Sequence, residues 1–333
     1  MTLAMRTGSA GLGWSFCVCY LQWMFLHRRH RIEPGNCLAH CFVCYWLLAL
    51  GGCGAVTSRD DGSGLGNSNQ PISKLVGFAQ ISGQGKQPSH ARLWRADLAV
   101  LPYAIIENDR VHLHNIRDCE YRTEDDYDVR HFSREVLLSE VRSIDFIVVP
   151  FKNAPAIAHT MLSFGLANGE YLVFSVEARL EEGEQYAALA SANKQFELMW
   201  VVGTERDLIR LRTDVRNVDV YLYPTRATPA QAQDVFLAAV ARVNEIARSP
   251  EFYDLLDNNC TTNIVDMINR LKPGAIPQDI RIVLPGHSDR LAYDLGLLAA
   301  QGPFEQVKAS SRINLAAQLN ANSPRFSQLI RQQ

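Results

Sequence analysis

The 333-residue chain carries 33 Lys and Arg against 35 Asp and Glu, a formal net charge of −2. That balance excludes a nucleic-acid binder working through a basic face. With 47% hydrophobic and 20% charged residues the chain has a globular composition and length for one large domain or two ordinary ones. Six of the eight cysteines (Cys17, Cys19, Cys37, Cys41, Cys44 and Cys53) fall in the first 53 positions. Only Cys119 and Cys260 remain for the body, which cannot be a disulfide-stapled fold.

In chain order, residues 1–53 read as a membrane-targeting region. Apolar stretches over about Ala10–Leu26 and Cys37–Leu50 flank the basic cluster His27-Arg28-Arg29-His30-Arg31. Basic residues, then an apolar run, then small residues is the layout of a secretory signal. The ending Leu50-Gly51-Gly52-Cys53 resembles a bacterial lipobox, which makes Cys53 the expected lipidation site. The first apolar stretch reads as an over-extended start, with the initiator at Met24, or as a membrane span of the shortest kind. Cys37, His40, Cys41 and Cys44 have metal-like spacing but sit among Phe, Val, Tyr and Trp and read as apolar filler; no metal and no cofactor is expected. Residues 54–72, rich in Gly, Ser, Asn and Asp, read as a flexible tether.

From 73 to 333 the chain reads as strands followed by helices, an α+β domain with an antiparallel sheet packed against helices. The expected strands are Val111–Ile116, Ile144–Val149, His159–Leu166, Tyr171–Ala178, Phe196–Val202 and Val218–Tyr223. A capping box at Thr228-Pro229-Ala230-Gln231 starts a helix to about Arg248, with Val235, Ala239, Val243 and Ile246 on one face. A second helix begins near Asn259 and ends before Pro273-Gly274.

Register gives a geometry. Leu162, Phe164 and Leu166 share one strand face, and Leu172, Phe174 and Val176 share another. Both sets reach one core through a three-residue loop, Ala167-Asn168-Gly169, with Gly169 left-handed. Met161 then opposes Ser175 and His159 opposes Glu177, close enough for a His–carboxylate hydrogen bond. Asn258 or Asn259 caps the later helix and puts Cys260 in its first turn. There the dipole and unpaired N–H groups favour a thiolate and could hold an oxyanion. Cys119, flanked by Asp118 and Glu120, is the poorer nucleophile. A disulfide between Cys119 and Cys260 is a minor alternative.

The segments Ala158-His159-Thr160-Met161-Leu162-Ser163-Phe164, Ser175-Val176-Glu177-Ala178-Arg179, Val202-Gly203-Thr204-Glu205-Arg206-Asp207-Leu208, Tyr221-Leu222-Tyr223-Pro224, Phe252-Tyr253 and Asn259-Cys260-Thr261-Thr262 resemble the Lnb N-terminal periplasmic domain family over about 144–271. The order His, acid, then Cys at a helix start is also similar to circularly permuted papain-like folds of the NlpC type. The resemblance implies a permuted papain-like arrangement with Cys260 as nucleophile, His159 as general base and Glu177 as its orienter. It implies supporting roles for Asn259, Thr261, Arg179, Glu205, Arg206 and Asp207, the charged ones as one network or as structural salt bridges. Pro285-Gly286-His287-Ser288-Asp289 reads as a loop, and a place for His287 in the site is the lesser reading of it. The expected protein is a membrane-anchored bacterial envelope hydrolase or acyltransferase with its body in the periplasm, acting on an amide or ester of envelope material. A non-catalytic envelope binding or scaffold domain with a structural Cys/His pair is the alternative.

Overall fold

A computed structural model describes residues 86–186 and 194–332. The targeting region, Cys53 and the tether lie outside the described residues. Ten strands are described: β1 (Tyr103–Glu107), β2 (Arg110–Arg117), β3 (Glu120–Tyr121), β4 (Tyr127–Asp128), β5 (His131–Leu137), β6 (Val141–Phe151), β7 (Ala154–Leu166), β8 (Tyr171–Arg179), β9 (Glu197–Thr204) and β10 (Tyr221–Pro224). Eight of them build one sheet in the order β1-β2-β9-β8-β7-β6-β10, with β5 paired to β2, while β3 and β4 form a separate small hairpin. The pairings are antiparallel except for a parallel bridge between Arg117 of β2 and Gly203 of β9. The fold is thus α+β with a mostly antiparallel sheet.

The register follows from the turn. Leu166 N–H donates to Glu170 O at 2.8 Å and Gly169 N–H to Leu166 O at 2.9 Å, closing a three-residue loop with Gly169 at φ +82°. Only a residue without Cβ takes that conformation cheaply. Met161 pairs with Ser175, Leu162 with Phe174 and Phe164 with Leu172, as the parity of the apolar positions requires. Successive side chains point to opposite faces, so Leu162 and Phe164 face one layer while His159, Met161 and Ser163 face the other.

The first layer is the core. Helix α1 (Glu205–Arg210) follows β9 directly, and α2 (Pro229–Arg248) begins at the Thr228/Gln231 capping box. Helix α2 lays Ala232, Phe236, Ala239, Val240, Val243 and Ile246 on the sheet, one step around from the expected stripe at Val235. Phe236 meets Phe164 and Phe174 edge to face at 5.3 and 5.5 Å. Each such fully buried ring is worth roughly 1.5–3 kcal/mol, so this triangle fixes helix against sheet. Opposite it, Ser163 donates to Glu205 of α1 at 2.6 Å, and Arg331 near the C-terminus bonds both Asp145 and Glu205.

The differences from expectation have local causes. Strands β1 and β5 lie at the sheet margin, with Tyr103, Ile105, Ile106 and Phe132 exposed, so they lack a buried apolar signature. The strand expected at Val218–Tyr223 starts only at Tyr221, because Val218 N–H is taken by Arg212 O. Residues 86–98 form a strap across the sheet: His90 Nε2 meets Ile246 O at 2.8 Å, and Trp94 lies 4.1 Å from the Arg179 guanidinium. Among the described residues no helix is long and apolar enough to cross a membrane.

Candidate active site

The β7–β8 ladder runs from Gly165/Tyr171 only to Met161/Ser175. Beyond it the strands part: β7 stays paired with β6, and β8 with β9 through Arg179. The main-chain edge of β7 from Ala158 to Thr160 is therefore left open on the β8 side. Helix α3 (Cys260–Leu271) starts at this opening. Cys260 Sγ–H donates to Ala158 O at 3.8 Å, and the Thr160 and Thr261 hydroxyls meet at 3.0 Å. The thiol is carried by α3 and the imidazole by β7, and the two are coupled by a hydrogen bond and by charge.

Asn259 places the thiol. Its Oδ1 accepts from Thr261 N–H at 2.8 Å and Thr262 N–H at 3.0 Å, while its Nδ2 donates to Leu255 O at 2.6 Å. Such a cap is worth about 1 kcal/mol. It also narrows the expected oxyanion site, because two of the helix-start N–H groups are already engaged. The Cys260 amide is the first-turn donor that Asn259 leaves free.

His159 and Glu177 are not paired in the ladder, which ends one step short of them at Met161 and Ser175, but their side chains share a face and meet there, with a third residue between them. His159 Nε2 lies 2.7 Å from Ser175 Oγ and 3.2 Å from Glu177 Oε1, and Ser175 donates to the same Oε1 at 2.7 Å. The Ser175 proton goes to the carboxylate, so the hydroxyl accepts from Nε2–H, and Nδ1 remains for Cys260. Arg212 Nη2 donates to Glu177 Oε1 at 2.9 Å. Sequence reasoning missed both partners. Ser175 was visible as the residue opposite Met161. Arg212 was not, since it sits in a π-helical turn, Leu211–Val215, that has no periodic signature.

The electrostatics follow. Burial works against a charged His159, but the Glu177 carboxylate and the hydrogen bond with Cys260 outweigh it, pushing the ring up to about 9. Burial pushes the Cys260 thiol up, yet the hydrogen bond and charge of His159, with hydrogen bonds from Thr160, bring it down to about 7. Glu177 is held well below the usual carboxylate range: against the cost of burial stand the charges of His159 and Arg212. Between the Cys260 and His159 values the pair is thiolate and imidazolium. Cys119 behaves oppositely, since burial and the nearby Asp207 push its thiol up to about 12. Both cysteines are free and buried, so the two are not bridged.

The other expected residues go elsewhere. Arg179 bonds Leu98 O and Ala99 O and stacks on Trp94, which secures the strap. Glu205 joins Ser163 and Arg331. Asp207 takes Arg117 through two bonds, at 2.8 and 2.9 Å, and the Cys119 N–H. Arg206 is exposed. Arg179, Glu205 and Asp207 thus make separate structural contacts, not one network beside Cys260 and His159: Arg179 lies on β8, and Glu205 and Asp207 leave α1 toward different neighbours. His287 is exposed, while Pro285 lines the cleft.

Cys260, His159 and Glu177 line one cleft of about 1110 Å³, whose walls include Trp94 and Asp97 of the strap, Arg117, Tyr127, Phe151 and Tyr253. Among the described residues no group of three or more His, Cys, Asp or Glu is arranged to hold a metal ion. Neither a curated protein nor a solved structure matches the chain. The family model described as the Lnb N-terminal periplasmic domain matches residues 127–286, a wider span than the 144–271 expected and one that contains His159, Ser175, Glu177, Arg212 and Cys260. Over that segment the chain is similar to the Lnb N-terminal periplasmic domain family, and the match implies a periplasmic location for this part of the chain.

Proposed function

We propose that the domain is a cysteine-dependent hydrolase or acyltransferase acting on an amide or ester of cell-envelope material. The observation that carries this reading is the meeting of Cys260, at a helix start, with a His159 ring whose far nitrogen is engaged by Ser175 and Glu177. The thiolate attacks the substrate carbonyl carbon, and the developing oxyanion takes the Cys260 N–H. His159 then gives its Nδ1 proton to the leaving amine or alkoxide, leaving an acyl thioester on Sγ. Water or a second nucleophile, deprotonated by the now neutral His159, attacks the thioester and restores the thiolate. Helix-borne thiol after strand-borne base is the order of a permuted papain-like site, and this supports that arrangement as the finer description of the fold. In the same reading Cys53 carries a lipid anchor, and the tether lets the domain reach its substrate from the membrane surface.

The test is acylation of the full chain by a panel of activated acyl esters and peptide amides, followed by peptide mass mapping. A hydroxylamine-labile acyl group on Cys260, absent from Cys260→Ala, is expected. Cys260 is only 2% exposed, as a structural thiol would be. Absence of any acyl adduct, together with an ordinary thiol titration, would sink the enzyme reading and leave a non-catalytic binding domain.

A further inference from the structure

Glu177 Oε1 accepts from Ser175 Oγ and Arg212 Nη2 and forms an ion pair with His159 Nε2, 3.2 Å away. Arg212 is 3% exposed, and its Nη1 is tied to Leu208 O at 2.8 Å within its own turn. The π turn thus drives a guanidinium onto the one oxygen that also faces the imidazole. When Cys260 and His159 are in their ionic form, the row Cys260, His159, Glu177, Arg212 alternates −, +, −, + and carries no net charge. Without Arg212 the same buried row carries one excess negative charge, and a low-dielectric site relieves that by binding a proton. The proton goes to the end of the row, at the thiolate.

Other groups nearby do not supply this balance. Arg117 of β2 is matched by Asp207, and Arg216, one turn beyond Arg212, lies 3.6 Å from Glu124. Tyr253 and Tyr186 approach from the cleft wall, and Tyr253 is held neutral, first by burial and then by the charge of Cys260. Thr160 offers the thiolate hydrogen bonds but no charge.

We propose that Arg212 is a positioning residue for the Cys260–His159 pair: it fixes Glu177 Oε1 against the imidazole and supplies the fourth charge that lets the thiolate persist. The proposal deepens the cysteine-nucleophile reading. Its test needs no substrate, so it stands or falls apart from acyl transfer.

The measurement is the pH midpoint of Cys260 alkylation by iodoacetamide in the full chain, resolved by peptide mass mapping, with Cys119 as the folded-state reporter. Arg212→Met should raise the midpoint by about one pH unit, which is about tenfold less labelling at pH 6. Arg212→Lys, which keeps the charge but loses the fork, should restore most of the midpoint. Arg212→Met should move the midpoint less in the Glu177→Gln background than in the wild type, because the carboxylate through which Arg212 fixes the imidazole is gone and only its more distant charge is left to lose. An Arg212→Met protein that keeps Cys119 silent and shows the wild-type midpoint would reduce Arg212 to a structural ion pair. If Arg212→Met exposes Cys119, the lysine variant and the double-variant comparison decide in its place. A wild-type midpoint lost in Arg212→Lys as fully as in Arg212→Met, or an Arg212→Met shift as large in the Glu177→Gln background as in the wild type, overturns the proposal.

Discussion

Replacing Glu177 by Gln keeps the size of the side chain and removes its charge. In the folded protein that charge is the chief influence raising His159 to about 9 from an ordinary value of 6.5. Without it the ring returns toward 6.5 and is mostly neutral at pH 7. Cys260 then loses the imidazolium that holds its thiol at about 7, while burial, which pushes the thiol up, remains. A thiol moved to about 9 is about 1% ionised at pH 7 where the wild type is about half ionised, so alkylation slows about 50-fold. The assay follows modification of Cys260 from pH 5 to 10 by peptide mass mapping. Glu177→Gln leaves Arg212 without its carboxylate, a buried cation that itself destabilises the fold. The Glu177→Gln/Arg212→Met double variant therefore runs beside it. A midpoint unmoved in both, with Cys119 still unlabelled, would refute the idea that the carboxylate sets the state of the imidazole.

Four further outcomes are expected. Cys119, with its thiol at about 12, stays unmodified at pH 8 in the native protein while Cys260 reacts; equal labelling would contradict the two environments. Asn259→Ala removes the acceptor of two first-turn N–H groups and costs about 1 kcal/mol, read as a lower midpoint in urea, together with slower Cys260 alkylation. Gly286→Ala brings a Cβ to within 1.9 Å of Pro155 O, pushing the β7 backbone that leads to Ala158 and His159. It should destabilise the domain by about 1–3 kcal/mol, and an unchanged denaturation curve would show that the loop gives way freely. Glu177 has a depressed carboxyl, so its stabilising share is present above its ordinary value of 4.5 and is lost as pH falls through the lower folded value. The stability gap between wild type and Glu177→Gln should close in acid, and a gap that is constant from pH 6 to 3 would contradict the ion-paired Glu177.

The hairpin was legible because two apolar faces and an Asn-Gly turn allow one parity, and parity alone puts His159 on the face of Glu177. The cap of α3 was legible because Asn259 acts on N–H groups two and three residues away. What lies between those pieces was not. The parting of β7 from β8 leaves no mark in either strand's pattern, since both remain paired on their outer sides. Arg212 depends on a turn whose widened hydrogen bonding no periodicity announces. The strap depends on Arg179 meeting Trp94 across the fold, a contact between residues that are unremarkable where they stand. Glu205 and Asp207 looked like members of one cluster because they are neighbours in sequence; the helix that carries them sends one to Arg331 and the other to Arg117.

The opening between β7 and β8 makes reactivity a product of folding. His159 and Glu177 belong to strands that close locally through a tight turn, whereas Cys260 reaches them only after β9, α1 and α2 have been threaded between. Until that last docking, the cysteine is an ordinary thiol near 8.5, mostly protonated at neutral pH, with nothing to distinguish it from the other cysteines of the chain. In a nascent or unfolded molecule Cys260 therefore has no advantage over the other thiols toward an electrophile. Conversely, the moment at which Cys260 begins to outpace its neighbours toward a mild electrophile timestamps the completion of the native state, a clock that needs no label other than the reaction itself.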